Sequence, residues 1–226
     1  MWLALDTATD RASVALGGPS GFVAAETIVG ARRHAAGLLP AIEGCLQRVG
    51  AGYGDIEGVV LSDGPGSFTG LRVGATVARA LIRVRRMPMW VTPSLLVCAA
   101  GASAPPEATV LAVSNALRGE LFAAAYRFRP GRVECVLAPI VASPEEVRRR
   151  IPGSVVLSGP AAPTLGGEPS WPEATRLLGL VGLAGGARLA TDPARWEPAY
   201  GRPAEAQAKW ERDHGRPLAN PAGSPR

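Results

Sequence analysis

Lysine is all but missing from this chain of 226 residues: Lys209 is the only one, and arginine carries the basic side. Histidine is nearly as scarce, with His34 and His214 alone. A metal site on a helix around His34 would need a second ligand one turn on, and Gly37 and Leu38 stand there. A zinc or iron enzyme built on two histidines is therefore disfavoured. A hydrolase triad has as little to build on, since no G-x-S-x-G is present and His214 lies in a Pro- and Gly-rich tail. The three cysteines, Cys45, Cys98 and Cys135, stand far apart, form no C-x-x-C and are odd in number. They do not read as a disulfide framework, which points to a reducing compartment. Aromatics are only 5% of the chain, so Ala, Gly and Val must supply most of the core. The longest apolar stretch, LLGLVGLAGGA at 177–187, is too short and too Gly-rich to span a bilayer. The opening MWLALDTATD has no basic region before its apolar residues and carries Asp6 early, unlike a signal peptide. A cytoplasmic protein with no membrane segment is expected.

What is present is a 47% apolar chain, enough for a globular core, with a net charge of +5. The excess is modest and the arginines read as scattered. Such a balance is compatible with an RNA or phosphate-bearing partner without requiring one.

Periodicity predicts an α/β protein in two lobes. WLALD, ASVALGG and FVAAETIV read as three strands of an antiparallel meander. Apolar residues from Ala35 to Val49 then take helical spacing, with Pro40 inside the pattern. EGVVLS reads as a buried strand, the segment after it as a helix to about Arg86, MWVTP as a strand and SLLVCAAGA as a helix. GASAPPE (101–107) marks the lobe boundary, expected within 99–108. Three further strands follow, then SPEEVRRR, a helix with Ser143 as N-cap and Pro144 at its first position. SVVLSG is another strand, and 172–190 reads as a Gly-weakened helix. This divides the chain into a first lobe at 1–103, a reduced second lobe at 104–200 and a Pro- and Gly-rich tail at 201–226, its last ten or so residues mobile. Both lobes begin with three strands and a helix, which hints at internal duplication.

Two stretches offer chemistry. Asp6-Thr7-Ala8-Thr9 ends the first strand, and a carboxylate with hydroxyls there could hold a metal-bound phosphate. Alternatively, Asp6 and Thr9 hydrogen-bond the turn's own backbone. DGPGSFTGLRVG (63–74) places four glycines before a helix, where free N–H groups can bind a phosphate. It is neither a P-loop nor an in-register dinucleotide fingerprint. The competing reading makes Ser67 or Thr69 a cap and Gly70, Gly74 and Ala78 a bare stripe at i, i+4 and i+8, open to a very close helix.

LALDTATDRASVAL, RRHAAGLLPAIEGCL, IEGVVLSDGPGSFTGLRVGATVARAL, LRGELFAAAY and EPAYGRPAEA resemble, in this order, segments of the TsaB (YeaZ) family, most specifically in GPGSFTGLRVG. The resemblance implies a two-lobed fold of the actin, sugar-kinase and chaperone (ASKHA) type with a reduced second lobe. It implies a non-catalytic subunit of the bacterial machinery that makes N6-threonylcarbamoyladenosine at position 37 of tRNA. The partners it implies are a TsaD-like transferase, paired as a heterodimer, and a TsaE-like ATPase, with tRNA reached through the complex and a homodimer when alone. ATP, ADP and metal are then expected on the partner subunits, with no cofactor on this chain beyond the weak candidates Asp6 and Thr9. The expected partner interface is His34, Leu38, Arg72, Gly74 and Ala78, with Gly70 facing inward at the cap. TsaD-like relatives carry an H-x-x-x-H pair on the helix matching 30–49, of which only His34 remains. The chain departs from the family at Asn115, where an acid is frequent, at Gly201 in EPAYGR, and at SGPAAP. A small-molecule kinase or ATPase of the same fold is the alternative reading, and a metallopeptidase a third.

Overall fold

The structure, a computed structural model, describes residues 1–30, 33–151, 153–202 and 213–215. β1 (Trp2–Asp6) is apolar up to its last residue because it lies in mid-sheet, antiparallel to β2 (Arg11–Gly18) and parallel to β4 (Gly58–Ser62). β2 turns back into β3 (Gly21–Val29), which completes the meander and forms one edge of the sheet. α1 (His34–Arg48) then buries His34, Leu38, Ala41, Ile42, Cys45 and Leu46, the side of its helical period that faces the sheet. Pro40 sits on its exposed side. α2 (Phe68–Arg85) follows β4, β5 (Met89–Thr92) runs parallel to β4, and α3 (Ser94–Ala100) ends the run.

Residues 101–108 lead into a second sheet. β6 (Thr109–Asn115), β7 (Leu121–Arg129) and β8 (Arg132–Ala142) form another antiparallel meander. α4 (Pro144–Arg150) starts at Ser143, whose hydroxyl accepts the Glu146 N–H, and β9 (Val156–Ser158) returns parallel to β6. The sheet order is β8-β7-β6-β9.

The stretch 172–190 departs from the expected single helix. Only α5 (Ala174–Leu180) is helical. Gly182 and Gly185 then take φ of +88° and +76°, a region side chains avoid, and the chain turns instead of continuing. β10 (Arg188–Leu189) pairs with β5, so the first sheet reads β10-β5-β4-β1-β2-β3. The expected second lobe at 104–200 is corrected accordingly. α5, β10 and the segment to Arg202 return to the first lobe, because their apolar side chains and backbone find partners there. The expected mobility of the last ten residues lies outside the described residues.

Three apolar clusters hold this together. Leu3, Leu5, Val14, Leu16, Val59 and Leu61 meet α1 and α2 on one face of the first sheet. The other face carries small residues, Ala4, Ala15 and Val60, and packs with α3, α5 and the inner face of the second sheet. Leu111, Val113, Leu121 and Val147 line the second sheet's outer face under α4. Among the described residues no helix is long and apolar enough to cross a membrane.

Candidate functional site

Asp6 ends β1 fully buried, with both carboxylate oxygens occupied. Oδ1 accepts the Ala8 N–H at 3.2 Å, and Oδ2 accepts the Ser62 hydroxyl from the end of β4. Burial pushes its carboxyl from 3.8 up to about 7, against the lowering effect of those two hydrogen bonds. Thr9 is turned onto its own hairpin: its hydroxyl accepts the Arg11 N–H at 3.1 Å and donates to the Arg11 carbonyl at 3.0 Å. Both residues hold the β1–β2 turn and present no open face to a metal-bound phosphate. Among the described residues no group of three or more His, Cys, Asp or Glu could hold a metal ion.

The glycines after β4 receive that turn. A Cβ at Gly66 would lie 2.3 Å from the Ala8 carbonyl oxygen, and one at Gly70 would lie 2.1 Å from that of Thr7. At Gly74 it would lie 2.5 Å from the Thr7 Oγ1. Ser67 caps α2, accepting the Gly70 N–H at 3.2 Å, while its own N–H donates to the Ala8 carbonyl at 2.7 Å. The space a phosphate would take is filled by the chain's own backbone, so the residues present do not fit a phosphate cradle. His34 closes the arrangement from α1, with Nε2 3.3 Å from the Asp10 carbonyl and Nδ1 toward Gly70.

This corrects the expected interface. His34, Leu38, Gly74 and Ala78, with the inward Gly70, are all buried within the chain, because the small stripe of α2 is seated on the β1–β2 turn and the sheet. Of the six named positions only the Arg72 side chain is exposed. The outer surface of the helix pair is made by other residues: Ala35, Ala36, Leu39 and Glu43 on α1, and Thr69, Thr76, Ala80 and Val84 on α2. Two of these are large and apolar, Leu39 at 48% exposure and Val84 at 81%.

Sequence reasoning also missed a C-terminal strap, residues 192–202, that crosses α2. Arg79 donates to the carbonyls of Pro193 and Trp196. The Ala199 N–H donates to the Asp63 carbonyl at 2.6 Å, and Arg188 pairs with the Asp63 carboxylate at 2.7 Å. Tyr200 stacks on Phe68 with ring centroids 4.5 Å apart, while the Arg72 guanidinium lies 4.0 Å over the Phe68 ring. Arg202 pairs with Glu120 beside β7. The available signal was EPAYGRPAEA itself, which has no period to say where it lies.

Comparison with known proteins follows this geometry. A family model described as TsaD: tRNA N6-adenosine threonylcarbamoyltransferase matches residues 25–163. The tRNA threonylcarbamoyladenosine biosynthesis protein TsaB of Escherichia coli (strain K12) is 35% identical over 186 residues, covering 79% of this chain and 77% of that protein. The protein of the same name from Bacillus subtilis (strain 168) is 27% identical over 135 residues, 60% of this chain and 58% of that one. The solved structure of YeaZ from Pseudomonas aeruginosa superposes with a TM-score of 0.71 at 27% identity, covering 80% of this chain and 90% of that chain. Fold and matches define a two-lobed α/β protein of the ASKHA type with a TsaD-like domain. The chain belongs to the TsaB (YeaZ) family.

Proposed function

We propose that this chain is a non-catalytic partner subunit in bacterial tRNA N6-threonylcarbamoyladenosine synthesis, acting in the cytoplasm. In this reading it pairs with a TsaD-like transferase, is served by a TsaE-like ATPase and meets tRNA through the complex. The observation that carries it is the 35% identity to a TsaB protein over 79% of the chain. Three features support the non-catalytic part. Leu38 stands one turn after His34, Asp6 is sealed by Ser62 and Ala8, and the glycine-rich turn is filled from within. ATP, ADP and metal then belong to the partner subunits.

The partner face in this proposal is the outer surface of α1 and α2 between Leu39 and Val84, with Arg72 at its rim. The buried His34, Leu38, Gly70, Gly74 and Ala78 shape it from beneath. An exposed Leu and Val among alanines and threonines suit helices packed across it. The same face would serve a homodimer of the free chain. The test is co-purification with a TsaD-like protein: Leu39→Glu with Val84→Glu should abolish pairing at an unchanged thermal midpoint. The chain alone should form no threonylcarbamoyladenosine on tRNA. Product from this chain free of any TsaD-like protein, or undiminished pairing by the double variant, would sink the proposal. Nucleotide binding by the isolated chain at roughly millimolar or tighter would favour the kinase or ATPase reading.

A further inference from the structure

The arginines are less scattered than the linear sequence suggests. Between Asp63 and Glu107 there is no acidic residue, and there are five arginines: Arg72, Arg79, Arg83, Arg85 and Arg86. Those 43 residues carry +5, the formal charge of the whole chain, and elsewhere nineteen basic residues face nineteen acidic ones. The entire excess therefore belongs to α2 and the residue that caps it. Arg85 is turned away, donating to the Gly54 carbonyl at 2.6 Å. The other four fall within about 60° of one another at 100° per residue, a ridge of roughly 21 Å from Arg72 to Arg86. This ridge flanks the stripe of Thr69, Val73, Thr76, Ala80 and Val84 and borders the strap.

We propose that the α2 arginine ridge is a direct contact surface for the sugar-phosphate backbone of RNA, so that this chain itself holds part of the tRNA. The inference rests on the tRNA-modification reading above. Arg83 and Arg86 have no hydrogen-bond or ion-pair partner among the described residues, and both are exposed. Arg72 and Arg79 are fixed in place by the strap while their charge remains. A repeated, unpaired row of guanidiniums matches a repeated row of phosphates. At one end of the row stands the stack of Phe68, Tyr200 and Arg72, with Phe68 37% exposed. Aromatic and guanidinium planes of this kind are what an unpaired base stacks on. An acidic protein is the weaker fit, because charges on this flank lie beside the small apolar stripe and not within it, whereas a helix–helix interface is centred on such a stripe.

The experiment measures binding of an unmodified tRNA transcript by fluorescence anisotropy between 50 and 200 mM salt, for the free chain and for its complex with a TsaD-like protein. The double variants are Arg83→Glu/Arg86→Glu and the neutral Arg83→Gln/Arg86→Gln, and thermal midpoints verify that each is folded. Losing two phosphate contacts should flatten the salt dependence, so that wild-type affinity falls about tenfold more across this range than that of the Gln variant. Co-purification with the partner should be unchanged. Unaltered tRNA binding by both variants would overturn the proposal, as would lost partner pairing with the salt slope intact, which would assign the ridge to an acidic protein. If no TsaD-like partner pairs with the wild type, the earlier reading fails, while the free chain still reports on the ridge.

Discussion

The two lobes are wound alike and furnished differently. β1, β2, β3, α1 and β4 trace the same path as β6, β7, β8, α4 and β9: an antiparallel meander, a helix, and a strand returning parallel to the first. Each returning strand ends in serine, Ser62 or Ser158, and leaves through a glycine at φ +108° followed by proline, Gly64-Pro65 or Gly159-Pro160. In each, a Cβ on that glycine would stand 2.1 Å from a backbone oxygen, of Ala199 or of Val113. Beyond this point the lobes part. The first continues into the 18 residues of α2, whose glycines close over the β1–β2 turn. The second continues into a 3-10 turn at Ala162–Leu165, and its β6–β7 turn stands open. There Leu117 is 70% exposed, with φ of +64° at Leu117 and +56° at Arg118. Shared strand geometry does not decide whether such a turn is sealed. The side chains of the helix that follows do.

The hardest test of the contrast is to give α2 a side chain where it has none. Gly70→Val and Gly74→Leu should both destabilise the free chain, by about 1 to 3 kcal/mol of overpacking or more. At about 2 to 4 °C per kcal/mol for a chain of this size, the loss is visible in a thermal midpoint. Gly70→Val should be the worse, since it meets the Thr7 carbonyl, whereas Gly74→Leu first meets the Thr7 side chain. Unchanged midpoints would mean that α2 is not seated on the turn.

Next in size is the buried carboxyl beneath that seat. Burial raises the folded pKa of Asp6 to about 7 from 3.8. Folded protein then holds a proton that unfolded chain has released, so this group's contribution is favourable below about pH 4 and is lost as pH rises toward 7. Asp6→Asn retains an acceptor for the Ala8 N–H and an amide for the Ser62 oxygen without ionising. Its stability relative to wild type should improve between pH 4 and 7 by on the order of a few kcal/mol. Denaturant midpoints across that range measure it, and a difference that does not vary with pH would refute the sealed turn. The second lobe offers no such group at its open turn, where Asn115 accepts the Leu117 N–H at 2.7 Å.

Much of the frame was legible because it is local. Period-2 and period-3.6 patterns located the strands and α1 to α4, and Ser143-Pro144 and Ser67 announced their helix starts by side-chain chemistry. The small stripe on α2 was legible as a stripe, but not in what fills it. Absent side chains specify a close neighbour without saying whether it is a partner helix or, as here, the backbone of Thr7 and Ala8. α5 was overextended because the apolar run to 190 carries a helical signal, whereas the turn depends on the backbone at Gly182 and Gly185. The strap is held by backbone carbonyls and single side chains from residues more than a hundred positions away, such as Arg72 to Tyr200, so no local pattern encodes it.

The two serine caps make a finer comparison. Ser143→Ala should cost about 1 kcal/mol, the ordinary value of an N-cap. Ser67→Ala removes an equivalent bond, but its backbone N–H still donates to Ala8, so the stability loss should be similar and no larger. A much larger loss at Ser67, read from denaturant midpoints, would mean that the hydroxyl and not the glycines positions the β1–β2 turn.

The smallest effect expected has the opposite sign. Gly179 lies in the last turn of α5, exposed, with nothing within 4 Å of where a Cβ would stand. Alanine there avoids the extra backbone freedom that glycine gives the unfolded chain, a gain of roughly 0.5 to 1 kcal/mol in a helix interior and toward the lower figure at a helix end. Gly179→Ala should therefore raise the thermal midpoint by a degree or two and leave partner pairing unchanged. The identical substitution at Gly70, also helical, should lower the midpoint, because its Cβ would fall 2.1 Å from the Thr7 oxygen. The pair separates helix propensity from packing: both are Gly→Ala in a helix, so propensity alone predicts two gains. A gain at Gly70 would show that the β1–β2 turn yields to α2 and does not brace it.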